Sequence, residues 1–134
     1  MINILVMSHG ELAVGICKSA EMIIGEQENL KAVVFNPGES LDTLVKKLKD
    51  AINEFDNDFP HLLFVDIFGG SPSNATALLL AEEYKINAVS GVNLPMLLEA
   101  LTERDGTAPE ILVKQLKIAG NEGIIDIVEA FSGE

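Results

Sequence analysis

The sequence predicts an open α/β sandwich, and three observations carry that expectation. Short apolar, β-prone runs alternate with amphipathic helical stretches at least four times, the signature of a parallel sheet joined by right-handed crossovers. The first run, Ile2 to Met7, is nearly continuous in apolar residues, as a strand covered on both faces requires. The runs also end on chemically distinctive residues: Ser8-His9-Gly10 after the first, and Asp66 followed by Gly69-Gly70-Ser71 after the third. Open sheets of this kind bind ligands at the carboxyl edge of their strands. The expected architecture is therefore an open three-layer α/β/α sandwich with a mainly parallel sheet, and the strand order adopted for it is 2-1-3-4.

With 134 residues, the chain has room for one domain with a substantial core, and a single domain over 1–134 is expected. Hydrophobic residues at 48% and charged residues at 22% describe a soluble globular composition and exclude disorder. The net charge of −12 argues against a nucleic-acid backbone or an anionic membrane as partner. No basic segment precedes the first apolar run and no cleavage pattern follows it, so it does not read as a signal peptide. No apolar run approaches the roughly 20 residues that span a bilayer. The lone Cys17 forms no internal disulfide and reads as a packing residue. With only His9 and His61 beside it, no zinc-type cluster is present, and neither metal nor cofactor is expected. The expected compartment is the cytoplasm.

Taken in order, a first helix is expected from Glu11 to Ile24, with Leu12, Ile16, Ala20, Ile23 and Ile24 as its apolar stripe. Ala13 and Cys17 flank that stripe, and Gly25 ends the helix. Leu30 to Phe35 reads as the second strand, stopped by the turn Asn36-Pro37-Gly38. Ser40 is a suitable N-cap for a helix to about Phe55, whose apolar face is Leu41, Leu44, Val45, Leu48, Ile52 and Phe55. Lys46, Lys47 and Lys49 lie opposite, as a solvated face. The third strand runs from His61 to Asp66. Ser71 then reads as an N-cap, and Pro72 as the first residue of a helix to Tyr84. A fourth strand is expected at Ala88 to Val92, a helix from Pro95 through Leu101, a turn at Arg104-Asp105-Gly106 and a helix from Glu110 to Ala119. Ile124 to Phe131 fits a short helix or a strand, and its β-branched content after Gly120 and Gly123 favours a strand.

The strand order brings His9 and Asp66 to neighbouring strands at the switch point. An imidazole beside a carboxylate is an activated base or nucleophile: the carboxylate holds one ring N–H and leaves the other nitrogen's lone pair outward. Gly69 and Gly70 let backbone approach a ligand closely, and the helix behind them points its free N–H groups forward. Ser71 adds a hydroxyl. Together these features suit a phosphoryl group, whereas no lysine follows in the manner of a nucleotide-triphosphate cradle.

Ser8-His9-Gly10, the run Val65-Asp66-Ile67-Phe68-Gly69-Gly70-Ser71-Pro72-Ser73-Asn74 and Gly91-Val92-Asn93-Leu94-Pro95-Met96-Leu97 together resemble the IIA component of the mannose family of the bacterial sugar phosphotransferase system. Ala20-Glu21-Met22-Ile23-Ile24-Gly25 also resembles that family's first helix. The resemblance runs from residue 1 to about 131. It implies that His9 accepts a phosphoryl group from the carrier protein HPr and passes it to a IIB component, which phosphorylates sugar entering through a IIC/IID membrane complex. It assigns Asp66 to orienting His9, and Ser71 with the loop amides to holding the phosphoryl group. The family often has Thr or Leu after the aspartate; Ile67 supplies no hydroxyl and is expected only to pack. The resemblance also implies a homodimer in which a carboxyl-terminal strand crosses to the partner's sheet, with Ile124 to Phe131 as the candidate. Because the chain stops at Glu134, IIB is expected on a separate polypeptide.

Among rival readings, a response-regulator receiver needs acidic residues where Met7 and Ser8 stand, and a flavodoxin-like binder needs aromatics to flank a flavin. A phosphocarrier that feeds dihydroxyacetone kinase shares the fold and an amino-terminal histidine, but the Gly-Gly-Ser-Pro-x-Asn turn favours the sugar-transport branch. A non-catalytic regulatory dimer of the same fold needs no pairing of His9 with Asp66.

Overall fold

The computed structural model describes residues 1–133. Four strands, β1 (Asn3–His9), β2 (Leu30–Phe35), β3 (His61–Val65) and β4 (Ile86–Ser90), form one parallel sheet in the order β2-β1-β3-β4, as expected. Helices α1 (Leu12–Ile24), α2 (Leu41–Glu54), α3 (Ser71–Ala81), α4 (Leu94–Glu103) and α5 (Pro109–Glu122) cover it, and a single turn, α6 (Ile127–Ala130), ends the chain.

The near-continuous hydrophobicity of β1 has a direct cause. Its alternate side chains enter two separate cores. Ile4 and Val6 pack with Ile2 against α1, α4 and α5, while Leu5 and Met7 pack against α2 and α3. Both sets are fully buried, so truncating Leu5 or Leu63 to Ala costs about 2–5 kcal/mol through lost burial and the cavity left behind. The alternation also decides where His9 lies. It shares the parity of Leu5 and Met7, and so stands at the end of the α2/α3 face.

Several boundaries differ from expectation. In α1 the buried line is Ala13, Cys17 and Ala20, while Leu12 and Ile23 of the expected stripe are exposed. Ala20 of the expected stripe and the flanking Ala13 and Cys17 form the closest contact, and Ile16 and Ile24 of the stripe pack partly buried beside them. Ser40 caps α2 as expected, its Oγ accepting from the Thr43 N–H at 3.1 Å. The N-cap of α3 is Gly70 rather than Ser71, which is the first helical residue. Strand β4 begins two residues earlier than expected and stops at Gly91, whose φ of +75° breaks the extended run. Asn93, not Pro95, opens α4, its Oδ1 accepting from the Met96 N–H at 3.0 Å. Arg104 is not a simple turn residue. Its buried guanidinium donates to the carbonyls of Ile2 (3.1 Å), Glu28 (2.7 Å) and Asn29 (3.1 Å), tying the amino-edge loops together.

In one protomer taken alone, the tail is not a strand. Within this single chain it has no strand partner and forms the turn α6, where Asp126 Oδ1 accepts from the Glu129 N–H at 3.1 Å. A strand needs a neighbour to satisfy its backbone, whereas a capped turn satisfies its own. Ile124, Ile125, Ile127, Val128 and Phe131 are all exposed. Among the described residues, no helix is long and apolar enough to cross a membrane.

Candidate active site

The site is built where β1 and β3 end side by side. His9 is the last residue of β1, and Asp66 directly follows β3. One carboxylate oxygen, Asp66 Oδ2, lies 2.7 Å from His9 Nδ1 and also accepts the backbone N–H of His9 at 2.9 Å. The other, Oδ1, accepts the Ile67 N–H at 3.0 Å. Asp66 is therefore fixed by two backbone amides before it meets the ring. An ionised carboxylate only accepts, so this contact assigns the proton to Nδ1 and leaves Nε2 as the outward lone pair. Burial pushes the Asp66 carboxyl up in pKa, but the hydrogen bonds from His9 and Ile67, with the charge that His9 carries when protonated, outweigh it and hold the group below the ordinary aspartate value. The aspartate side chain is 9% exposed and the histidine side chain 46%, an anchored base beneath a reachable ring.

The glycines differ in role. Gly69 has φ +91°, a left-handed conformation that disfavours any side chain. Gly70 has an ordinary φ of −87°, yet a Cβ there would stand 2.7 Å from His9 Cε1 and 3.3 Å from Nε2. The backbone at Gly70 thus occupies the flank of the ring itself. The first helical bond of α3 runs from the Asn74 N–H to the Gly70 carbonyl at 2.9 Å, so the amides of Ser71 and Ser73 have no partner within the helix, and Pro72 has no N–H. Such a helix start favours an anion.

Sequence reasoning missed two contributors. Ser8 is buried; its Oγ donates to the Gly10 carbonyl at 2.9 Å and accepts from the Ala13 N–H at 2.7 Å, so it closes the turn that carries His9 into α1. A serine at the end of an apolar strand and ahead of a helix was the available signal. The second is Phe35, the cross-strand partner of His9, whose ring meets the imidazole edge-on at 5.9 Å and 80°. Ile67, expected to pack, is exposed and contributes through its N–H. Phe68 beside it is 85% exposed. His61 lies at the opposite edge of the sheet, paired with Asn3. The Cys17 thiol is pushed up to about 12 by burial and the nearby Glu21, which removes it from thiolate chemistry. Among the described residues, no group of His, Cys, Asp and Glu is placed to hold a metal ion.

A histidine–aspartate pair at the switch point of an open parallel sheet, with a glycine-opened helix beside it, defines a doubly wound α/β protein with a polar site at its carboxyl edge. The chain belongs to the EIIA-man family: residues 3–117 match the model described as "PTS system fructose IIA component". It is 40% identical over 117 residues to the "PTS system fructose-specific EIIA component" of Bacillus subtilis, covering 87% of this chain and 80% of that protein. It is 37% identical over 124 residues to the "PTS system mannose-specific EIIAB component" of Escherichia coli, covering 92% of this chain and only 38% of that longer protein. Among solved structures it superposes on phosphotransferase system component EIIA from Streptococcus agalactiae with a TM-score of 0.87 at 32% identity, over 96% of this chain and 99% of that one. The protein is a mannose-family EIIA component of the sugar phosphotransferase system, a group of phosphotransfer proteins.

Proposed function

We propose that the chain is a phosphoryl carrier in which His9 Nε2 attacks the phosphorus of phospho-HPr. A new N–P bond forms as the donor's N–P bond breaks, and the reverse exchange delivers the group to a IIB component. The observation that carries this reading is the 2.7 Å contact between His9 Nδ1 and Asp66, which leaves Nε2 unprotonated and outward. Asp66 keeps the Nδ1 proton in place and offsets the positive charge that the ring gains when Nε2 is phosphorylated. Gly69 and Gly70 admit the phosphoryl oxygens to the backbone, and Ser71 with the forward amides of α3 receives their charge.

The same reading takes the chain as a single IIA domain working in the cytoplasm, serving sugar uptake through IIB and only indirectly through a IIC/IID membrane complex. It also takes the active form as a homodimer. The relatives' names, fructose-, mannose- and sorbose-specific, favour a sugar-transport role over a carrier for dihydroxyacetone kinase. The pairing of His9 with Asp66 favours a catalytic over a purely regulatory dimer.

Incubation with phosphoenolpyruvate, enzyme I and HPr tests the proposal. The expected product is an acid-labile adduct that disappears in His9→Ala and persists in His61→Ala. Labelling that follows His61 instead overturns it.

A further inference from the structure

We propose that Phe35 is a positioning residue for the accepting ring: it props His9 so that Nε2 keeps one direction of attack. This rests on the reading of His9 as the acceptor and adds to it a residue outside the histidine–aspartate–glycine set.

The need for a prop follows from exposure. The His9 side chain is 46% accessible, and among the described residues its only hydrogen-bonded ring atom is Nδ1. One point of attachment fixes a tautomer but leaves the ring plane free to rock about that point. Two neighbours limit the rocking from opposite sides of β1: Phe35 at the end of β2, and Gly70 at the start of α3, in the loop that follows β3. From the β3 side, Gly70 leaves less room than one methyl group beside Cε1. From the β2 side stands Phe35, paired with His9 in register and so on the same face of the sheet, its ring at 80° to the imidazole. Edge-to-face contact is the preferred geometry for aromatic rings at this separation.

Phe35 is itself held on both sides. Its carbonyl accepts the Gly10 N–H at 2.9 Å, which couples it to the residue after His9. The next amide, Asn36 N–H, donates to Glu39 Oε1 at 2.6 Å. Lys47 Nζ donates to that same Oε1 at 2.8 Å and to the Val34 carbonyl at 2.8 Å. The prop therefore stands on a fastened loop. Phosphoryl exchange depends on the alignment of the attacking lone pair, and small misplacements cost rate rather than binding.

The test is rapid-quench transfer from phospho-HPr to the wild type, Phe35→Leu and Phe35→Tyr, with HPr binding and melting temperature measured on each. Phe35→Leu is expected to slow transfer roughly two- to tenfold, the range an aromatic edge-to-face contact accounts for, with HPr affinity unchanged. Phe35→Tyr, which keeps the ring, is expected to restore the rate. The His9 ring protons are expected to shift in the NMR spectrum of Phe35→Leu and to keep their positions in Phe35→Tyr. Phe35→Met, apolar and without a ring, replaces Leu should that variant not fold. A Leu or Met variant that melts early but transfers at the wild-type rate per folded molecule overturns the proposal. Failure of the underlying reading is distinguishable, because the wild type itself then carries no label on His9.

Discussion

Asp66 does two things through one oxygen, and that makes it hard to replace. Oδ2 accepts both the His9 N–H and the ring Nδ1–H, while Oδ1 accepts from Ile67. An asparagine has one acceptor and one donor end, so in either orientation its NH2 faces an N–H group. Asp66→Asn is expected to keep the fold and slow transfer from HPr, by up to about 10⁴-fold if the loss matches that of the orienting aspartate in a catalytic triad. Rapid-quench kinetics measure it, and a wild-type rate would remove Asp66 from the mechanism. Because its folded pKa is lowered, the stability that Asp66 contributes is present above the ordinary aspartate value and is lost only as pH falls through the lower folded one. The pair is accordingly intact through neutral and mildly acid conditions. Gly70→Ala separates activity from stability. At φ −87° an alanine is comfortable, and the stiffer unfolded chain adds about 0.4–1 kcal/mol wherever the native conformation accepts it without strain. The new Cβ, 2.7 Å from His9 Cε1, displaces the ring, and a misplacement of about 1 Å can cost on the order of 10² in rate. Melting temperature held or lost slightly, with phosphorylation lost heavily, is the expected pair of results; normal transfer would leave the glycine serving only the turn.

The elements place this chemistry at one edge of the sheet and stabilise the other with a polar network. At the amino edge, the first residue of β3, His61, faces buried Asn3 with its Nδ1 3.3 Å from Nδ2. The Asn3 amide is oriented by the Asn29 Nδ2–H donated to its Oδ1 at 2.6 Å and by its own bond to the Asp56 carbonyl at 2.8 Å. Nδ2 therefore points a donor at His61, which must answer with an unprotonated nitrogen. Burial lowers the His61 pKa, so on acidification the unfolded chain takes up a proton that the folded one resists. Stability is then fully present above histidine's ordinary value and falls as pH drops below it. Urea midpoints compared between about pH 7 and pH 5, the span around that ordinary value, are expected to decline less in His61→Gln than in the wild type. Equal slopes would show that His61 takes no part.

The whole molecule carries one feature that a single chain leaves unbalanced. The tail exposes Ile124, Ile125, Ile127, Val128 and Phe131, and β4 stands at the end of the sheet with an open edge. Open edges invite a further strand, and exchange of a terminal segment is a low-cost route to a dimer. Our reading is that the tail leaves α6 in the dimer and pairs with the partner's sheet. Removing residues 124–134 tests this while sparing Gly123, which sits against Pro95 so closely that a Cβ would come within 2.5 Å of Pro95 Cγ. The full-length protein is expected to sediment as a dimer at low micromolar concentration and the truncated one as a monomer or an insoluble product. A monomeric full-length chain would leave the exchange without support.

The alternation of periods in the sequence was sufficient for a parallel sheet covered by helices on both faces, while the order β2-β1-β3-β4 is one of the few such sheets adopt and is fixed by the tertiary structure. Given that order, His9, Asp66 and Gly70 come together, since residues at the carboxyl ends of adjacent parallel strands meet wherever the strands pair. Features that depend on what lies opposite were not legible. Periodicity marked an apolar stripe on α1 and Ala20 of it is buried, but Ala13 and Cys17 beside the stripe complete the buried line while Leu12 and Ile23 are exposed. Ser71 had the chemistry of a cap, yet the helix starts one residue earlier, with Gly70, close against the His9 ring, at the N-cap. Phe35 became a neighbour of the His9 ring through strand register, and Arg104 became a structural residue through four acceptors far along the chain. The tail, whose residues favour a strand, forms a helical turn in one protomer, where it pairs with no edge and its backbone is satisfied within the turn. Propensity and periodicity are local properties of the chain; burial, register and partner are properties of its surroundings.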